Sequence, residues 1–337
     1  DIARQDDTII SSLINNFLNK IFKVNLRRLK PPALRKGDVI GIISPASSPD
    51  DFSRIDKGIA YLESLGYRVK PGKYIYGRSG YLSAGDDERA RDLNEMFLDP
   101  QVRAIICVRG GYGTPRILDK VNYIAIRKNP KIFVGYSDIT ALQFAIFKKT
   151  GLITFSGPML AVDIYSNFDA YAEEFFWRIL TSKSSKIEIK NPIDQDIQVL
   201  NHGKAAGTLL GGNLSLIASI IGTKFQPDFN NSILVIEDIG EEPYRIDRYL
   251  SQLKNSGILN KIKGCILGQF TDCVAKEPEK SLTLEQIFQD YFKNLGIPIL
   301  SNLSYGHIPQ KITLPIGARI KIDTKRKTIT IVEKVLS

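Results

Sequence analysis

Residues 131–140, KIFVGYSDIT, decide the fold, because they describe a short buried strand that turns directly into a helix. Lys131–Val134 predicts the strand, and the apolar spacing of Ile139–Lys149 predicts the helix. Gly135 and Ser137 lie in the turn between the two elements. A serine placed two residues after a glycine, between a strand and a helix, is the layout of a nucleophile elbow, in which the tight turn exposes the hydroxyl.

The local pattern leaves two interpretations of this turn open. It departs from the usual elbow because Ile139 stands where a second glycine is expected. In the first interpretation Ser137 is a nucleophile, and the helix N-terminus directs backbone N–H groups toward a developing oxyanion. In the second, Ser137 or Asp138 only caps the helix that follows.

The same order of elements is found upstream of this turn. Asp38–Ser44 (DVIGIIS) and Arg103–Val108 (RAIICV) are predicted strands, and Phe52–Leu65 has helical spacing. Short apolar strands that alternate with helices predict a parallel sheet covered on both faces. Ligands of such sheets bind at the carboxyl ends of the strands, which is where Ser137 is expected.

A glycine-rich turn, Arg109–Gly113 (RGGYG), directly follows one of these strands. It matches neither the dinucleotide fingerprint nor a phosphate-binding P-loop, so nucleotide binding is not indicated. The turn is interpreted either as a tight structural connection or as a donor of an oxyanion N–H. A later glycine pair, Gly211 and Gly212 with Asn213, is interpreted as structural, as is Gly207.

The polar stretch Thr181–Asp196 (TSKSSKIEIKNPIDQD) is the predicted domain boundary. The expected division is an extension at 1–33, an α/β domain at 34–180, a linker at 181–197 and a C-terminal domain at 198–337. The elements predicted beyond the linker are a glycine-rich turn into a helix near Leu209–Ile221, a strand at Ile233–Ile236, a helix at Tyr244–Asn255, a strand at Ile262–Gln269, a helix at Leu284–Asn294, and strands at Arg319–Ile322 and Thr328–Val332.

Two polar side chains of the second half could complete a catalytic triad with Ser137. Glu237 ends the strand of LVIED, and His307 lies in the Gly/Pro loop SYGHIP. His307 would take the proton from the serine hydroxyl, while Glu237 would orient the imidazole. The alternative is a capping carboxylate and an exposed loop histidine. The chain has only two histidines, and the other, His202, is predicted to lie on the surface.

Composition excludes several other classes of protein. The net charge of +10 is concentrated at the two ends, since residues 1–36 carry eight basic and three acidic side chains, and residues 321–337 carry five and two. Nucleic-acid binding is therefore not expected, because it requires basic side chains along a folded face. The three cysteines, Cys107, Cys265 and Cys273, match no disulfide framework or zinc motif, and no metal or cofactor is expected.

The first residues carry an amphipathic pattern. The apolar positions with helical spacing are Ile10, Leu13, Ile14, Phe17, Leu18, Ile21 and Phe22. Two interpretations remain open: a helix that docks on the main body, or a basic amphipathic segment that rests on a membrane surface or a partner. Because the chain begins with Asp1, a processed leader or a truncation is expected upstream.

Five blocks together indicate a family. In this order, RGGYG, GYSDIT, LLGGNLS, VIEDIGEEPYRIDRYL and GHIPQKITLPIG resemble the LD-carboxypeptidase family of serine peptidases. That family includes muramoyl-tetrapeptide carboxypeptidases and microcin-C immunity peptidases. The resemblance extends from about Pro31 to the C-terminus, so the amphipathic segment lies outside it.

The resemblance implies a fold and a set of site residues. The fold would comprise an N-terminal parallel-sheet α/β domain of the flavodoxin or class I amidotransferase type and a C-terminal mixed β/α domain of the swivelling type. Ser137 would be the nucleophile, Glu237 the acid and His307 the general base. The backbone N–H groups of Gly111 and Asp138 would form the oxyanion hole.

The resemblance also implies a reaction: hydrolysis of the amide between an L-centre, typically of meso-diaminopimelate, and the terminal D-alanine of a peptidoglycan tetrapeptide. Arg109, Arg245 and Arg248 are candidates for binding a substrate carboxylate, since guanidinium binds carboxylates in a bidentate manner. An exposed helix face is the alternative for Arg245 and Arg248.

Homodimers and a cytoplasmic role in wall recycling are implied as well, while the basic amphipathic start leaves export open. Two other functions remain as alternatives. One is a microcin-immunity-type peptidase that acts on peptidyl- or aminoacyl-nucleotides, and the other is a non-catalytic muropeptide-binding protein. The first would need an aromatic side chain that stacks on a base, whereas Trp177, the only tryptophan, is predicted to lie in a core helix.

Overall fold

A computed structural model describes residues 28–337, so the predicted N-terminal amphipathic segment lies outside the described residues. The first half of the chain forms strands β1 (Val39–Ile43), β2 (Arg68–Pro71), β3 (Val102–Cys107), β4 (Ile132–Val134) and β5 (Thr154–Ser156). Its helices are α1 (Ser53–Ser64), α2 (Asp86–Leu98), α3 (Tyr123–Lys128), α4 (Thr140–Thr150) and α5 (Ala170–Thr181). Segments of 3₁₀ helix span Thr114–Lys120 and Ser137–Ile139, and a π-helical turn spans Leu160–Ile164.

The second half of the chain contributes strands β6 (Ile187–Ile189), β7 (Gln198–Asn201), β8 (Lys204–Asn213), β9 (Ser232–Ile239), β10 (Gly264–Thr271), β11 (Ile299–Ser301), β12 (Leu314–Ile316), β13 (Arg319–Asp323) and β14 (Thr328–Ile331). Its helices are α6 (Leu214–Ile220), α7 (Pro243–Asn255) and α8 (Leu284–Phe292), with a 3₁₀ turn at Pro278–Lys280. The described chain therefore has two α/β domains.

The first sheet has the order β12-β5-β4-β3-β1-β2. The strands from β5 to β2 are parallel, as predicted, and β1 and β4 are buried along their whole length because helices cover both faces. The edge strand β12 is antiparallel to β5 and comes from the second half of the chain. The two domains are thus joined by a shared sheet as well as by the connecting segment.

The second sheet has the order β6-β14-β13-β8-β9-β10-β11-β7 and is mixed. Its centre, β8 to β11, is parallel, and the outer strands are antiparallel. This sheet confirms the expected mixed C-terminal architecture. Within residues 28–337, every helix and strand predicted outside the glycine-rich segment is present, with ends that differ by at most three residues.

Two segments differ from their sequence interpretation. The predicted linker 181–197 contains β6, whose alternating buried Ile187 and Ile189 add an edge strand to the second sheet. The segment predicted as a glycine-rich turn is instead the end of β8, a ten-residue strand that continues to Asn213. Helix α6 starts only after that residue, whose side chain caps it by accepting a hydrogen bond from the Leu216 N–H. Within residues 28–337, the structure contains no helix that is both long and apolar enough to cross a membrane.

Candidate active site

Ser137 begins the 3₁₀ turn between β4 and α4 with a φ of 62°, in the left-handed region. A non-glycine residue there is strained, and such strain is common at catalytic turns. Gly135 is required because a Cβ at this position would lie 2.9 Å from two side-chain carbons of Ile139. Ile139, the residue that departs from the usual motif, therefore packs against the first glycine and closes the turn.

The next residue, Asp138, ties this turn to the glycine-rich loop after β3. Its carboxylate accepts a hydrogen bond from the Thr114 N–H at 2.8 Å, and its carbonyl accepts one from the Thr114 hydroxyl at 2.5 Å. Burial raises the pKa of the Asp138 carboxyl to about 6. The side chain therefore holds the loop in place, which positions the two backbone segments beside each other.

The glycine-rich loop lies directly against the serine. A Cβ at Gly110 would lie 2.9 Å from the Ser137 Cβ and 3.1 Å from its Oγ. Gly111 has a φ of 100°, and a Cβ there would lie 2.4 Å from the Ser47 hydroxyl oxygen. Within residues 28–337, the Gly111 N–H donates no hydrogen bond. Both glycines are therefore needed for close approach, and a backbone donor is left available beside the serine.

Gly110→Ala is expected to lower kcat about 100- to 1000-fold, because the new methyl group would displace the serine or the adjacent predicted oxyanion donor. Steady-state kinetics of the purified variant on the expected peptidoglycan tetrapeptide would measure the loss of kcat. Gly85→Ala is the matched control, since its Cβ would meet only the end of the flexible Glu88 side chain, at 3.2 Å. Equal rates for the two variants would contradict a functional role of this close contact.

Glu237 and His307 form a buried pair. Glu237 lies near the end of β9, and its Oε2 is 2.7 Å from His307 Nδ1. The Glu237 side chain is 1% exposed and the His307 side chain 14%. Gly306 allows this contact, because a Cβ there would lie 3.0 Å from the carboxylate. The pair leaves the other imidazole nitrogen, Nε2, free to act on a neighbouring group.

The loop that carries His307 is attached to the first domain on both sides of the histidine. On one side the Tyr305 hydroxyl is 2.7 Å from Ser156 Oγ in β5. On the other, Lys311 Nζ donates a hydrogen bond to the Tyr136 hydroxyl at 2.9 Å and another to the Asp163 carboxylate. These contacts hold the loop at the carboxyl edge of the first sheet, where the serine turn lies.

The structure brings His307 beside the serine turn. The ring of Tyr136, which immediately precedes Ser137, packs edge-on against the imidazole with 5.0 Å between ring centroids. Within residues 28–337, no hydrogen bond joins the Ser137 hydroxyl to His307. Catalytic hydrogen bonds are often long without substrate, so this geometry is compatible with a triad.

Three residues that sequence reasoning missed lie in the same region: Tyr136, Asp163 and Lys311. A cavity of about 400 Å³ is lined by all three together with His307. Burial, and then the charge of Asp163, raise the pKa of the Tyr136 hydroxyl. Tyr136 and Lys311 belong to quoted sequence blocks, but neither residue type is diagnostic of a site. Asp163 lies in a π-helical turn, which has no sequence signal.

The three candidate arginines occupy different environments. Arg109, after β3, donates a hydrogen bond to the Ser48 carbonyl at 3.2 Å and is about one-third exposed. Arg245 lies 3.4 Å from Glu241 on the exposed side of α7. Arg248 lies over the Tyr244 ring at 5.3 Å. Of these three arginines, only Arg109 belongs to the glycine-rich loop that lies against the serine.

The remaining sequence candidates lie outside the site. His202 is exposed, as predicted, at the turn between β7 and β8. All three cysteines are buried, and burial raises the pKa of the Cys273 thiol to about 11. In the described part of the chain, no three His, Cys, Asp or Glu side chains are grouped to hold a metal ion.

Comparison with known proteins identifies both domains. Residues 40–157 match the model of the LD-carboxypeptidase N-terminal domain, and residues 206–322 match that of the C-terminal domain. A probable murein peptide carboxypeptidase of Bacillus subtilis is 44% identical over 313 residues, covering 92% of this chain and 96% of the relative. The microcin C7 self-immunity protein MccF of Escherichia coli is 31% identical over 335 residues, covering 90% and 96%.

Solved structures share the fold. MccF in complex with glutamyl sulfamoyl guanosine superposes with a TM-score of 0.85 at 29% identity, covering 92% of this chain and 100% of the other. A muramoyltetrapeptide carboxypeptidase from Oxalobacter formigenes gives a TM-score of 0.76 at 33% identity, covering 87% and 97%. The likeness thus spans both domains and the junction between them.

Proposed function

Because the chain belongs to the LD-carboxypeptidase family of serine carboxypeptidases, we propose that it removes the terminal D-alanine from peptidoglycan tetrapeptides. The bond cleaved is the amide between the L-centre of meso-diaminopimelate and D-alanine. The observation that carries the proposal is the 2.7 Å Glu237–His307 pair beside the strained Ser137 turn. The names of the murein peptide carboxypeptidase relatives support the substrate class.

In the acylation step, Ser137 Oγ attacks the amide carbonyl carbon and gives its proton to His307 Nε2. Glu237 accepts the hydrogen bond from Nδ1–H, which fixes the tautomer and stabilises the imidazolium. The amides of Gly111 and Asp138 donate to the oxyanion. When the carbon–nitrogen bond breaks, the leaving amine of D-alanine takes the proton from His307, and the shortened peptide remains as an ester on the serine.

In the deacylation step, a water molecule attacks the ester carbonyl and transfers its proton to the imidazole. The tetrahedral intermediate collapses, the proton returns to Ser137 Oγ, and the tripeptide leaves as a carboxylate. The proposal places the free carboxylate of D-alanine near the Arg109 guanidinium, which donates in a planar fork suited to this group. Arg109 is the first residue of the glycine-rich loop, and its guanidinium donates a hydrogen bond to the Ser48 carbonyl at 3.2 Å.

The proposed function is tested by incubating the purified protein with muramoyl tetrapeptide and measuring released D-alanine. Release of one D-alanine for each tripeptide formed is expected. Binding of the muropeptide without release would favour the third interpretation, a non-catalytic muropeptide-binding protein. If the protein neither binds the muropeptide nor releases D-alanine, the proposed substrate class is contradicted.

Glu237→Gln is expected to lower kcat about 10⁴-fold while KM changes little. The amide would present a donor or a neutral acceptor to Nδ1, so the imidazole would lose both its fixed tautomer and its charge stabilisation. Steady-state kinetics on the tetrapeptide would measure the effect.

The matched control for this substitution is Glu173→Gln, which changes a partly buried carboxylate of α5 that accepts a hydrogen bond from Tyr61. The control is expected to keep the wild-type kcat. A similar small loss in both variants would argue against Glu237 as the orienting acid.

Hydrolysis of aminoacyl nucleotides is the second candidate, favoured by the similarity to MccF, whose structures include complexes with aminoacyl sulfamoyl nucleosides. Trp177 is not suited to stack on a base, since it stacks on Tyr67 at 5.2 Å and donates a hydrogen bond to Tyr61. Tyr112 of the glycine-rich loop forms an exposed aromatic pair with Tyr81. Cleavage of glutamyl sulfamoyl adenosine faster than of tetrapeptide would select this candidate.

Assembly and cellular location are part of the proposed function. A homodimer is expected, and light scattering after gel filtration would give twice the chain mass. Recycling of wall fragments places the reaction in the cytoplasm, while fractionation with the envelope would favour the exported alternative.

A further inference from the structure

We propose that Lys311 is a positioning residue, which acts through Tyr136 to hold His307 against the Ser137 turn. The inference rests on the proposed function, because it assigns a role within that reaction. Lys311 lies four residues after His307 on the same loop, so it could fix the histidine relative to the domain that carries the serine.

The ammonium group of Lys311 is almost completely enclosed. Its side chain is 4% exposed, and Nζ donates to the Tyr136 hydroxyl at 2.9 Å and to the Asp163 carboxylate. Nζ also lies 4.3 Å from the centroid of the Tyr136 ring. The lysine therefore holds both the hydroxyl and the ring of this tyrosine.

Tyr136 connects this lysine to both members of the proposed proton transfer. Its ring packs edge-on against the His307 imidazole at 5.0 Å and 60°. Its backbone leads directly into Ser137, whose φ of 62° leaves little conformational freedom. A shift of Tyr136 would therefore have two effects at once: it would move Ser137, and it would remove the ring contact that supports one side of the His307 imidazole.

Asp163 anchors the arrangement to the oxyanion side of the site. Its second carboxylate oxygen accepts a hydrogen bond from the Met159 N–H at 2.9 Å, which closes the π-helical turn. In the same turn, the Ala161 N–H donates to the Val108 carbonyl at 2.9 Å. Val108 leads into the glycine-rich loop, so the ion pair connects the histidine loop, the serine turn and the segment that precedes the predicted oxyanion donor.

Stability alone does not account for this ion pair. Well-packed apolar residues often replace a buried pair without loss of stability, because desolvation of the charges offsets their attraction. A second buried lysine, Lys131, provides a comparison: its Nζ donates to the backbone carbonyls of Met96, at 2.9 Å, and Asp99. Lys131 immediately precedes β4, whereas the serine turn follows the end of that strand. Of these two lysines, only Lys311 joins a carboxylate and a tyrosine beside the histidine.

The experiment compares Lys311→Met with the double variant Lys311→Met/Asp163→Asn, using D-alanine release and thermal unfolding. Lys311→Met is expected to lower kcat about 10- to 100-fold, because a misplacement of about 1 Å reduces rates by this order. KM is expected to stay within about threefold, because the tetrapeptide is not assigned a contact with the ammonium. The single variant is also expected to unfold at lower temperature, since Asp163 is left as an unpaired buried charge.

The double variant separates positioning from stability. Removal of both charges is expected to restore the unfolding temperature but not kcat, because the Tyr136 hydroxyl still lacks its donor. Tyr136→Phe keeps the ring and is expected to reproduce the kcat loss, with no further loss when combined with Lys311→Met. Lys131→Met, the matched control, is expected to lower stability while leaving kcat unchanged.

Three outcomes would overturn the inference. If the double variant recovers both kcat and the unfolding temperature, the role of Lys311 is only structural. A raised KM with an unchanged kcat would assign it to substrate binding. Wild-type kcat in Lys311→Met would exclude any role in the reaction. Failure of the proposed function would look different, because the unmodified protein itself would then release no D-alanine. That result would also contradict the role proposed for Lys311.

Discussion

Replacement of Ser137 by alanine is expected to reduce turnover of the tetrapeptide about a million-fold, the loss that removal of a serine nucleophile causes in an intact site. The variant loses the only atom that is proposed to form a covalent bond with the substrate. The Glu237–His307 pair and the glycine loop stay in place, so the substrate should still bind. The expected signature is thus loss of kcat with little change in the dissociation constant, measured by D-alanine release and by calorimetry.

The backbone of this position provides a second, independent measurement. Alanine has a Cβ and therefore keeps the strain of a φ of 62°, so Ser137→Ala should unfold near the wild-type temperature. Ser137→Gly removes the Cβ and should relieve this strain, which costs on the order of 1–2 kcal/mol for an L-residue in the left-handed region. Glycine loses part of that gain through its greater freedom in the unfolded chain. An inactive glycine variant that is at least as stable as the alanine variant is expected.

Ser219→Ala is the control for this pair of variants, since Ser219 is an exposed serine of α6 whose hydroxyl bonds only to its own helix. It should keep both the rate and the stability of the wild type. An undiminished rate in Ser137→Ala would refute the serine mechanism, whatever the behaviour of the glycine variant.

The central strands of the first sheet were predictable because their signal is local. Apolar runs such as DVIGIIS and RAIICV are bounded by turn residues, and each becomes a strand buried on both faces. The edge strand β12 could not be predicted in this way. It has three residues, one of them Pro315, and exists because it pairs with β5, more than 150 residues away in the chain.

The glycine-rich strand β8 shows how a tertiary contact overrides a local preference. Gly207 and Gly211 would be unfavourable in an isolated strand and suggest a turn. In the fold, however, a Cβ at Gly207 would lie 2.5 Å from the Asn231 carbonyl oxygen, and one at Gly211 would lie 1.8 Å from that of Val235. The glycines are needed because β9 approaches closely, and this neighbour is not visible in the local sequence.

The same distinction between local and distant signals applies to the site. Ser137 has a local signal in its turn, whereas the patterns around Glu237 and His307 left two interpretations open, and the resemblance to a family implied their catalytic roles. The structure joins those last two residues across 70 positions of the chain. The Lys311–Asp163 pair spans 148 positions and uses residue types that are common on any surface, so nothing in the sequence distinguishes it.

His307→Ala is expected to reduce kcat about as much as Ser137→Ala, on the order of a million-fold, because the serine hydroxyl would then have no base. His202→Ala is a matched control within the same chain: the protein has only two histidines, and His202 is exposed in the turn before β8. This control should keep the wild-type rate.

Combining the variants tests whether the two groups act as one unit. Once the base is absent, the serine hydroxyl contributes little, so Ser137→Ala/His307→Ala should be no slower than either single variant. Loss of the imidazole also leaves the buried Glu237 carboxylate without its partner, which is expected to lower stability by about 1–3 kcal/mol. Adding Glu237→Gln should recover part of this stability but none of the activity. If the losses of the two single variants multiply in Ser137→Ala/His307→Ala, the two residues do not act as one unit and His307 is not the base for Ser137. Equal rates for His307→Ala and His202→Ala would lead to the same conclusion.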